Sequence, residues 1–469
     1  MSKAVSCNLP VLSVWLLLSL LGFGDALGIE LAPETPQKGT RPNLVVIFTD
    51  DQVHNAIGYD NPDVHTPSLD SLARQGLIFD RCYAASPICA ASRASAMTGL
   101  FPQQHGVIAL QRNAFVSRFH KDGQEASRTL AKLLSNAGYH TAAYGKSHLG
   151  KPTDYGFDEG KEMGPHNDVE TFARMDKFLT ERADSDKPFF LWLAPRQPHV
   201  PLLPEKKWLD LYDPSKLTLP ANFRDSPTSE SLNNQGLPGE DFYRDSKYVR
   251  NVGNLPAGPP RSRAVMWRFL QAYYAVVSHL DHQIGTFVTQ MKSAGLWENT
   301  ILIFVSDNGY HLGSHGLGNK ITMHEESVRV PMFVVGPGVA RGKRSQALVS
   351  SVDLFPTLLA LAGTKIPDGT MGHSLTPVFR NPQSTVRKTV FSECVGVGGK
   401  PGQGHRMAYD GRYKLILSGT NEHYLFDLKA DTHEVDDRLD LIEYAQARMR
   451  LEQDLARWMN KIGDRPFPE

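Results

Sequence analysis

The sequence predicts an α/β fold: a large mixed, mainly parallel sheet sandwiched by helices, with a small C-terminal α+β subdomain built on an antiparallel sheet. Three observations carry that expectation. Unbroken apolar runs recur through most of the chain, as strands buried on both faces of a sheet require. Segments with apolar residues at i, i+3/i+4 and i+7 alternate with those runs, the signature of a layered α/β unit. Toward the C-terminus the runs shorten and are separated by turn signals such as Asp410-Gly411, which is the pattern of antiparallel hairpins.

Taken in order, residues 1–28 stand apart from the fold. Lys3 precedes an apolar run over residues 9–23, and Ala26 and Gly28 supply small residues at cleavage-compatible spacing, so the segment reads as a secretory signal peptide. An uncleaved anchor helix is the alternative, but the run is short for a bilayer span and has no basic flank after it. No later run is long enough to span a bilayer. The cleaved chain is therefore expected to be exported and soluble, in a periplasmic, extracellular or lysosomal setting, with no membrane contact. Residues 29–41 read as a flexible leader. Residues 43–49 form the first buried strand, and 189–193, 300–305 and 331–335 repeat its type. Helical spacing covers 128–137, 169–182, 263–294 and 353–362. In the longest of these Phe269, Tyr273, Val276, Leu280, Ile284, Phe287 and Met291 keep one face, and Gly295 ends it. Residues 203–262, dense in Pro, Gly, Asn and Ser, read as a long loop that either shapes substrate entry or is a surface insertion. Residues 390–393, 406–409, 413–417 and 423–427 read as short strands, and 441–461 as a closing amphipathic helix. The division expected is a signal peptide over 1–28, a catalytic unit over 42–380 and a C-terminal subdomain over 385–469.

Composition narrows the function classes. The chain has 469 residues, 41% apolar and 21% charged, enough for a large core. Lys+Arg and Asp+Glu are both 50, so no basic excess points to nucleic acid. Of four cysteines, Cys7 lies in the signal segment. If Cys89 is used in chemistry, Cys82 and Cys394 allow one disulfide at most, and the fold must rest on its core.

The residues that carry chemistry stand at strand ends. Asp50-Asp51 follows directly on the first strand, and ligands of open α/β sheets bind beyond the carboxyl ends of strands. Two adjacent carboxylates there suit a hard, oxygen-seeking cation, or else a solvated turn. Asp307 and Asn308 repeat the oxygen-donor theme at the end of the 300–305 strand, where an Asx-type turn is the other reading. Cys89 opens the run Cys-Ala-Ala-Ser-Arg before a short helix closed by Thr98-Gly99. Alone, it is as readily a buried structural cysteine as a functional one.

These segments, with Gly145-Lys146-Ser147-His148-Leu149-Gly150, Pro198-His199-Val200-Pro201 and Asp307-Asn308-Gly309 followed by Lys320, resemble the ordered motif set of the type I sulfatases of the alkaline phosphatase superfamily. The resemblance covers most of the chain beyond the leader. Residues 310–316 and 325–331 are also similar to carbohydrate-acting members, such as those working on glycosaminoglycans. The resemblance implies an alkaline phosphatase-like fold and an arylsulfatase-like sulfuric ester hydrolase acting on a sulfated carbohydrate. It implies that a maturation enzyme converts Cys89 to formylglycine. It further implies one Ca²⁺, with Mg²⁺ the lesser fit, held by Asp50, Asp51, Asp307, Asn308 and an oxygen of residue 89.

In that scheme one hydroxyl of the hydrated aldehyde attacks sulfur while Asp307 takes its proton, and the alcohol leaves with a proton from His199. The second hydroxyl then expels sulfate by C–O cleavage, its proton going to His148. Lys146 and Lys320 bind sulfate oxygens, and Arg93 holds the formylglycine hydroxyl. The implied catalytic set is thus Cys89, Arg93, Lys146, His148, His199 and Lys320. One departure is Ala91, where many members carry proline. Gln103, Gln104, His105, Arg196, His311 and His315 lie near motif residues and are candidates to touch the sugar. Two rival readings stand beside this one. The first is a phosphonate monoester or phosphodiester hydrolase of the same superfamily, and the second an unconverted glycan-binding protein. A two-zinc phosphatase would instead call for a Ser or Thr nucleophile and further His and Asp ligands.

Overall fold

The computed structural model describes residues 41–110, 113–162, 168–225, 262–395, 404–419 and 422–464. The expected signal peptide, nearly all of the leader and the 226–261 part of the expected loop lie outside the described residues. The main sheet has eight strands. In chain order they are β1 (Asn43–Thr49), β2 (Leu77–Phe79), β3 (His140–Gly145), β4 (Glu159–Glu162), β5 (Phe189–Ala194), β6 (Thr300–Ser306), β7 (Met332–Val335) and β8 (Lys343–Ser345). Their spatial order is β8-β2-β7-β6-β1-β5-β3-β4. β1 pairs in parallel with β5 on one side and β6 on the other, while β7 runs antiparallel to both β6 and β2. The sheet is therefore mixed and mainly parallel, as expected.

Every residue of β1 is buried, which is why its run is unbroken. Alternate side chains serve opposite cores. Leu44, Val46 and Phe48 pack on the side of the helices α2 (Cys89–Thr98), α3 (Leu130–Asn136) and α6 (Leu354–Leu361). Val45 and Ile47 pack on the side of α1 (Pro67–Gln75), α4 (Asp168–Ala183) and α5 (Arg263–Ser293). Each such fully buried aliphatic side chain contributes about 1.5–3 kcal/mol through removal from water. The helix spacing read from the sequence places α3, α4, α5 and α6 to within two residues.

Four strands of the main sheet escape a reading of the sequence. β3 reads His-Thr-Ala-Ala-Tyr-Gly, buried by small residues and not by an apolar run. β4 reads Glu-Gly-Lys-Glu and β8 Lys-Arg-Ser, short polar strands at the two edges of the sheet, where one face meets water. β2 is a three-residue apolar piece, too short to tell from any loop hydrophobics.

The second sheet holds β9 (Val390–Cys394), β10 (His405–Tyr409), β11 (Tyr413–Ser418) and β12 (Tyr424–Asp427) in antiparallel order, covered by α7 (Ala445–Ile462). It does not stand alone. Trp458 of α7 stacks on Phe391 at 5.0 Å and meets Phe101 edge-on at 4.9 Å. Val390, Met407 and Ile416 share a core with Tyr83, Ile88 and Ala91, so this sheet packs over the start of α2. Cys82, Cys89 and Cys394 are all buried, and Cys82 is a free thiol, so the disulfide left open by the cysteine count is not formed. Among the described residues no helix is long and apolar enough to cross a membrane.

Candidate active site

The parallel register sets Thr49 of β1 opposite Ser306 of β6. The residues that follow each strand therefore emerge side by side, and the Asp307 N–H donates to Thr49 O at 3.0 Å. Asp51 turns back with φ 63°, a left-handed conformation that Asp tolerates better than most residues. That turn is held by two bonds. The Asp51 N–H donates to Asp307 Oδ1 at 3.2 Å, and Tyr273 Oη of α5 donates to Asp51 O at 2.6 Å. Asp50, Asp51, Asp307 and Asn308 are all essentially without solvent exposure.

Cys89 is the first residue of α2, so its side chain sits where the unpaired N–H groups of the first turn carry partial positive charge. Its Sγ lies 3.3 Å from Asp50 Oδ1 and 3.8 Å from Asp51 Oδ1. Lys320 Nζ reaches Cys89 Sγ at 2.9 Å and also pairs with Asp51. Lys146 pairs with Asp50. Lys146 follows Gly145, whose φ is 105° and where any Cβ would stand 2.0 Å from Ala194 O, so only glycine fits. The Arg93 guanidinium grips Asp307 Oδ2 at 2.8–2.9 Å and the Lys146 carbonyl at 2.7 Å, and these contacts orient Asp307 and the lysine loop.

His199 faces the same centre. Its Nδ1–H donates to Val200 O, which turns Nε2 inward to 3.7 Å from Asp51 Oδ2. His148, with φ 58°, has its backbone N–H on Glu162 Oε1 at 3.3 Å and a buried Nδ1 without a partner. The expected site residues thus all meet in one place, although they come from several separate stretches of chain. The weaker candidates mostly do not join them. His105 is fully buried between Ser95 Oγ and the Val107 N–H. Gln104 accepts from the Phe101 N–H, and His311 pairs with Thr322 Oγ1. His315 belongs to a separate charge cluster with Glu326. Tyr273 and Glu162 are additions that the sequence does not single out. Tyr273 reads there only as core, and its hydroxyl within an apolar stripe is the available hint.

Burial sets the electrostatics. It opposes the charge of Asp50, but Lys146, His199, Arg93 and Lys320 outweigh it and hold that carboxyl well below its ordinary range. Asp307 goes the other way. Burial and the neighbouring Asp50 raise it to about 6, which makes it the more basic carboxylate of the pair. Burial, with Asp307 and Asp50, pushes the Cys89 thiol up, so the encoded side chain is a protonated thiol, a weak nucleophile. His148 is driven far down by burial and Lys146, and His199 is lowered to about 4 by burial and Lys146. Both rings are neutral proton acceptors until an anion offsets those cations.

The Sulfatase family model matches residues 42–364. The chain belongs to the sulfatase family. It is a sulfuric ester hydrolase by that membership. A second model, N-sulphoglucosamine sulphohydrolase C-terminal, matches residues 313–461. N-acetylglucosamine-6-O-sulfatase of Bacteroides thetaiotaomicron is 28% identical, over 92% of this chain and 88% of its own length. A protein solved in complex with its substrate D-glucosamine-2-N,6-O-disulfate superposes with a TM-score of 0.76 at 26% identity, covering 90% of this chain and 98% of that one. The phosphonate monoester hydrolase of Silicibacter pomeroyi superposes at 0.72 with 20% identity, over 90% of this chain and 96% of its own, a likeness of fold. Sulfatases generally use a metal and formylglycine. Asp50, Asp51, Cys89 and His199 bring ligand atoms within 4.8 Å of one another.

Proposed function

We propose that this sulfatase is exported and hydrolyses sulfate esters of a sulfated carbohydrate, using formylglycine made from Cys89 by a maturation enzyme and one bound Ca²⁺. The observation that carries the reading is the convergence on residue 89, with Asp50 at 3.3 Å and Lys320 at 2.9 Å from its Sγ. The named relatives that act on sulfated glucosamines support the substrate class. The apolar run over residues 9–23 supports export. Residues 42–380 are taken as the catalytic unit and 385–469 as the subdomain that covers it.

The donor set fits a hard cation. Asp50, Asp51, Asp307 and Asn308 offer only oxygens, and Asn308 Oδ1 is buried without a hydrogen-bond partner while its Nδ2 is committed to Asp51 and Gly309. When present, the cation and the hydrated aldehyde supply charge neutralisation at the sulfate and a hydroxyl nucleophile with a second hydroxyl beside it.

The chain's own residues do the rest. Lys146 and Lys320 hold sulfate oxygens and offset the charge that grows on them. Asp307, kept basic by burial and fixed by Arg93, accepts the proton of the attacking hydroxyl. His199 can protonate the departing sugar oxygen through Nε2 once a bound sulfate offsets Lys146 and the ring takes up a second proton there, because Nδ1–H stays on Val200 O. His148, neutral and with Nδ1 unpaired, accepts a proton during sulfate release.

The test is sulfate release from sulfated glucosamines and uronates, run beside an aryl phosphonate monoester and an aryl phosphodiester. Chelator-treated protein is assayed with Ca²⁺ or Mg²⁺ restored, and the peptide containing residue 89 is analysed by mass spectrometry. The expected result is an aldehyde at residue 89, turnover of a sulfated saccharide and better rescue by Ca²⁺. Faster turnover of the phosphonate would install the rival hydrolase. An unconverted cysteine with glycan binding and no turnover would install the silent binder.

A further inference from the structure

Beside His199 lies a small cavity of about 120 Å³, lined by Asp168, Arg196, Gln197, His199, Glu205 and His279 among others. That volume is far below the few hundred Å³ that enclose a whole small-molecule ligand, so the cavity suits one substituent and not a second sugar. Arg196 and His199 are the two ends of one turn, closed by the His199 N–H donating to Arg196 O at 2.9 Å. A group held by Arg196 is therefore fixed relative to the imidazole that faces the reaction centre.

Among the described residues of its lining, Arg196 is the one Arg or Lys, and its charge also acts on Asp168. Asp168 spends its carboxylate on two backbone N–H groups, those of Arg196 and Gln197, each at 2.8 Å. Glu205 is paired with Lys207 at 3.2 Å. Arg196 keeps a buried Nε with no hydrogen-bond partner, and Gln197 Oε1 is likewise unpartnered. The Arg196 side chain is half-buried, so the part of its guanidinium that faces the cavity can take a planar anion.

We infer that Arg196 is a specificity-determining residue that binds a second anionic group, a carboxylate or sulfate, on the leaving sugar of the substrate. The inference rests on the proposed sulfatase reaction at a carbohydrate and narrows its substrate to saccharides with two acidic substituents. Arg196 does not enter the chemistry. Its contribution is affinity and orientation of the leaving sugar next to His199.

The experiment compares glucosamine 6-sulfate, glucosamine 2-N,6-O-disulfate, a sulfated uronate and 4-methylumbelliferyl sulfate on wild type, Arg196→Ala and Arg196→Lys. Wild type is expected to prefer an acid-bearing saccharide by about tenfold or more in kcat/KM, which is the scale of one charge-assisted hydrogen bond. Arg196→Ala is expected to collapse that preference, mainly through KM, and Arg196→Lys to restore part of it. The two acidic saccharides separate a sulfate from a carboxylate as the bound group. A wild-type enzyme indifferent to the second acid overturns the inference. So does an Arg196→Ala variant that loses equally on all four substrates, since that would make Arg196 a support for His199. Equilibrium binding of the mono- and disulfated glucosamines to Cys89→Ala reads the same preference without turnover. If the umbelliferyl ester and every sulfated saccharide go unhydrolysed while that binding preference holds, the failure lies with the reaction and not with Arg196.

Discussion

Two clusters of buried charge share the segment between Gly309 and Glu326, and they use similar side chains to opposite ends. In the first, Asp50, Asp51 and Asp307 meet Arg93, Lys146 and Lys320 around Cys89. In the second, the fully buried Lys414 of β11 lies 2.7 Å from both Glu325 and Glu434, with His324 at 3.4 Å from Glu434 and His315 at 3.5 Å from Glu326. His315, His324 and Glu434 are spaced as a metal triad would be. There, however, an ammonium supplies the positive charge, and Glu434 Oε2 is already taken by the Glu325 N–H at 2.7 Å. The first cluster converges on one atom and leaves Asn308 Oδ1 and His148 Nδ1 unmatched. The second closes mainly on itself and clamps the Lys320-bearing segment to the C-terminal sheet. Unmatched polar atoms occur in the second cluster too, His311 Nδ1 and Glu326 Oε2 among them, so what marks chemistry is convergence on one reactive atom, the sulfur of Cys89.

That contrast can be broken by mutation. Cys89→Ala should lower turnover by about 10⁴-fold or more while leaving the melting temperature close to wild type. A variant that keeps its activity would remove residue 89 from the reaction. Lys414→Met should do the reverse. It strands two buried carboxylates at a cost of about 3–5 kcal/mol, read in urea unfolding, with activity per folded molecule retained. Equal stability in that variant would mean that the second cluster is no clamp.

His199→Ala should cost about 10²-fold or more in kcat on a sugar sulfate. The loss should be smaller on an aryl sulfate, whose leaving oxygen needs less help. Equal losses on the two substrates would deny His199 the role of acid.

The smallest effect is one of pH. Burial opposes the charge of Glu434, but Lys414 and His324 lower its pKa from 4.5 to about 2. A depressed carboxyl stabilises the fold fully above its unfolded value and loses that contribution as pH falls through the folded one. Unfolding midpoints should therefore drop between pH 4.5 and 2 in wild type, and less steeply in Glu434→Gln. Parallel slopes would sink that assignment.

The difference between the clusters also explains what the sequence can tell. Asp50-Asp51, Cys89 and Asp307-Asn308 stand at strand and helix ends, so local pattern and motif order are enough to locate them. Lys414 and Glu434 carry no such mark. Their partners Met323 and Glu325 lie 91 and 109 residues away, and a buried lysine reads in sequence as a solvated one. Arg196 stands out in the sequence only for its place near a motif, because what sets it apart is the absence of a partner. Similarly, β1, β5, β6 and β7 announce themselves as apolar runs, while β3, built on small residues, and the polar edge strands β4 and β8 do not.

The register of β1 has a consequence for the order in which the molecule can be made. This strand precedes every other strand of its sheet in the chain, yet it pairs with none of its near neighbours. Phe189, at the start of β5, bonds Asn43 across 146 residues, and Asp307, just past β6, meets Asp51 across 256. Until both later strands exist, β1 has two open edges and Cys89 has neither Asp307 nor Lys320 to cover it. High contact order of this kind delays folding. The growing chain thus spends a long interval with its thiol still reachable, and any alteration of that thiol by a separate enzyme has to be finished before the last partner strand closes over it.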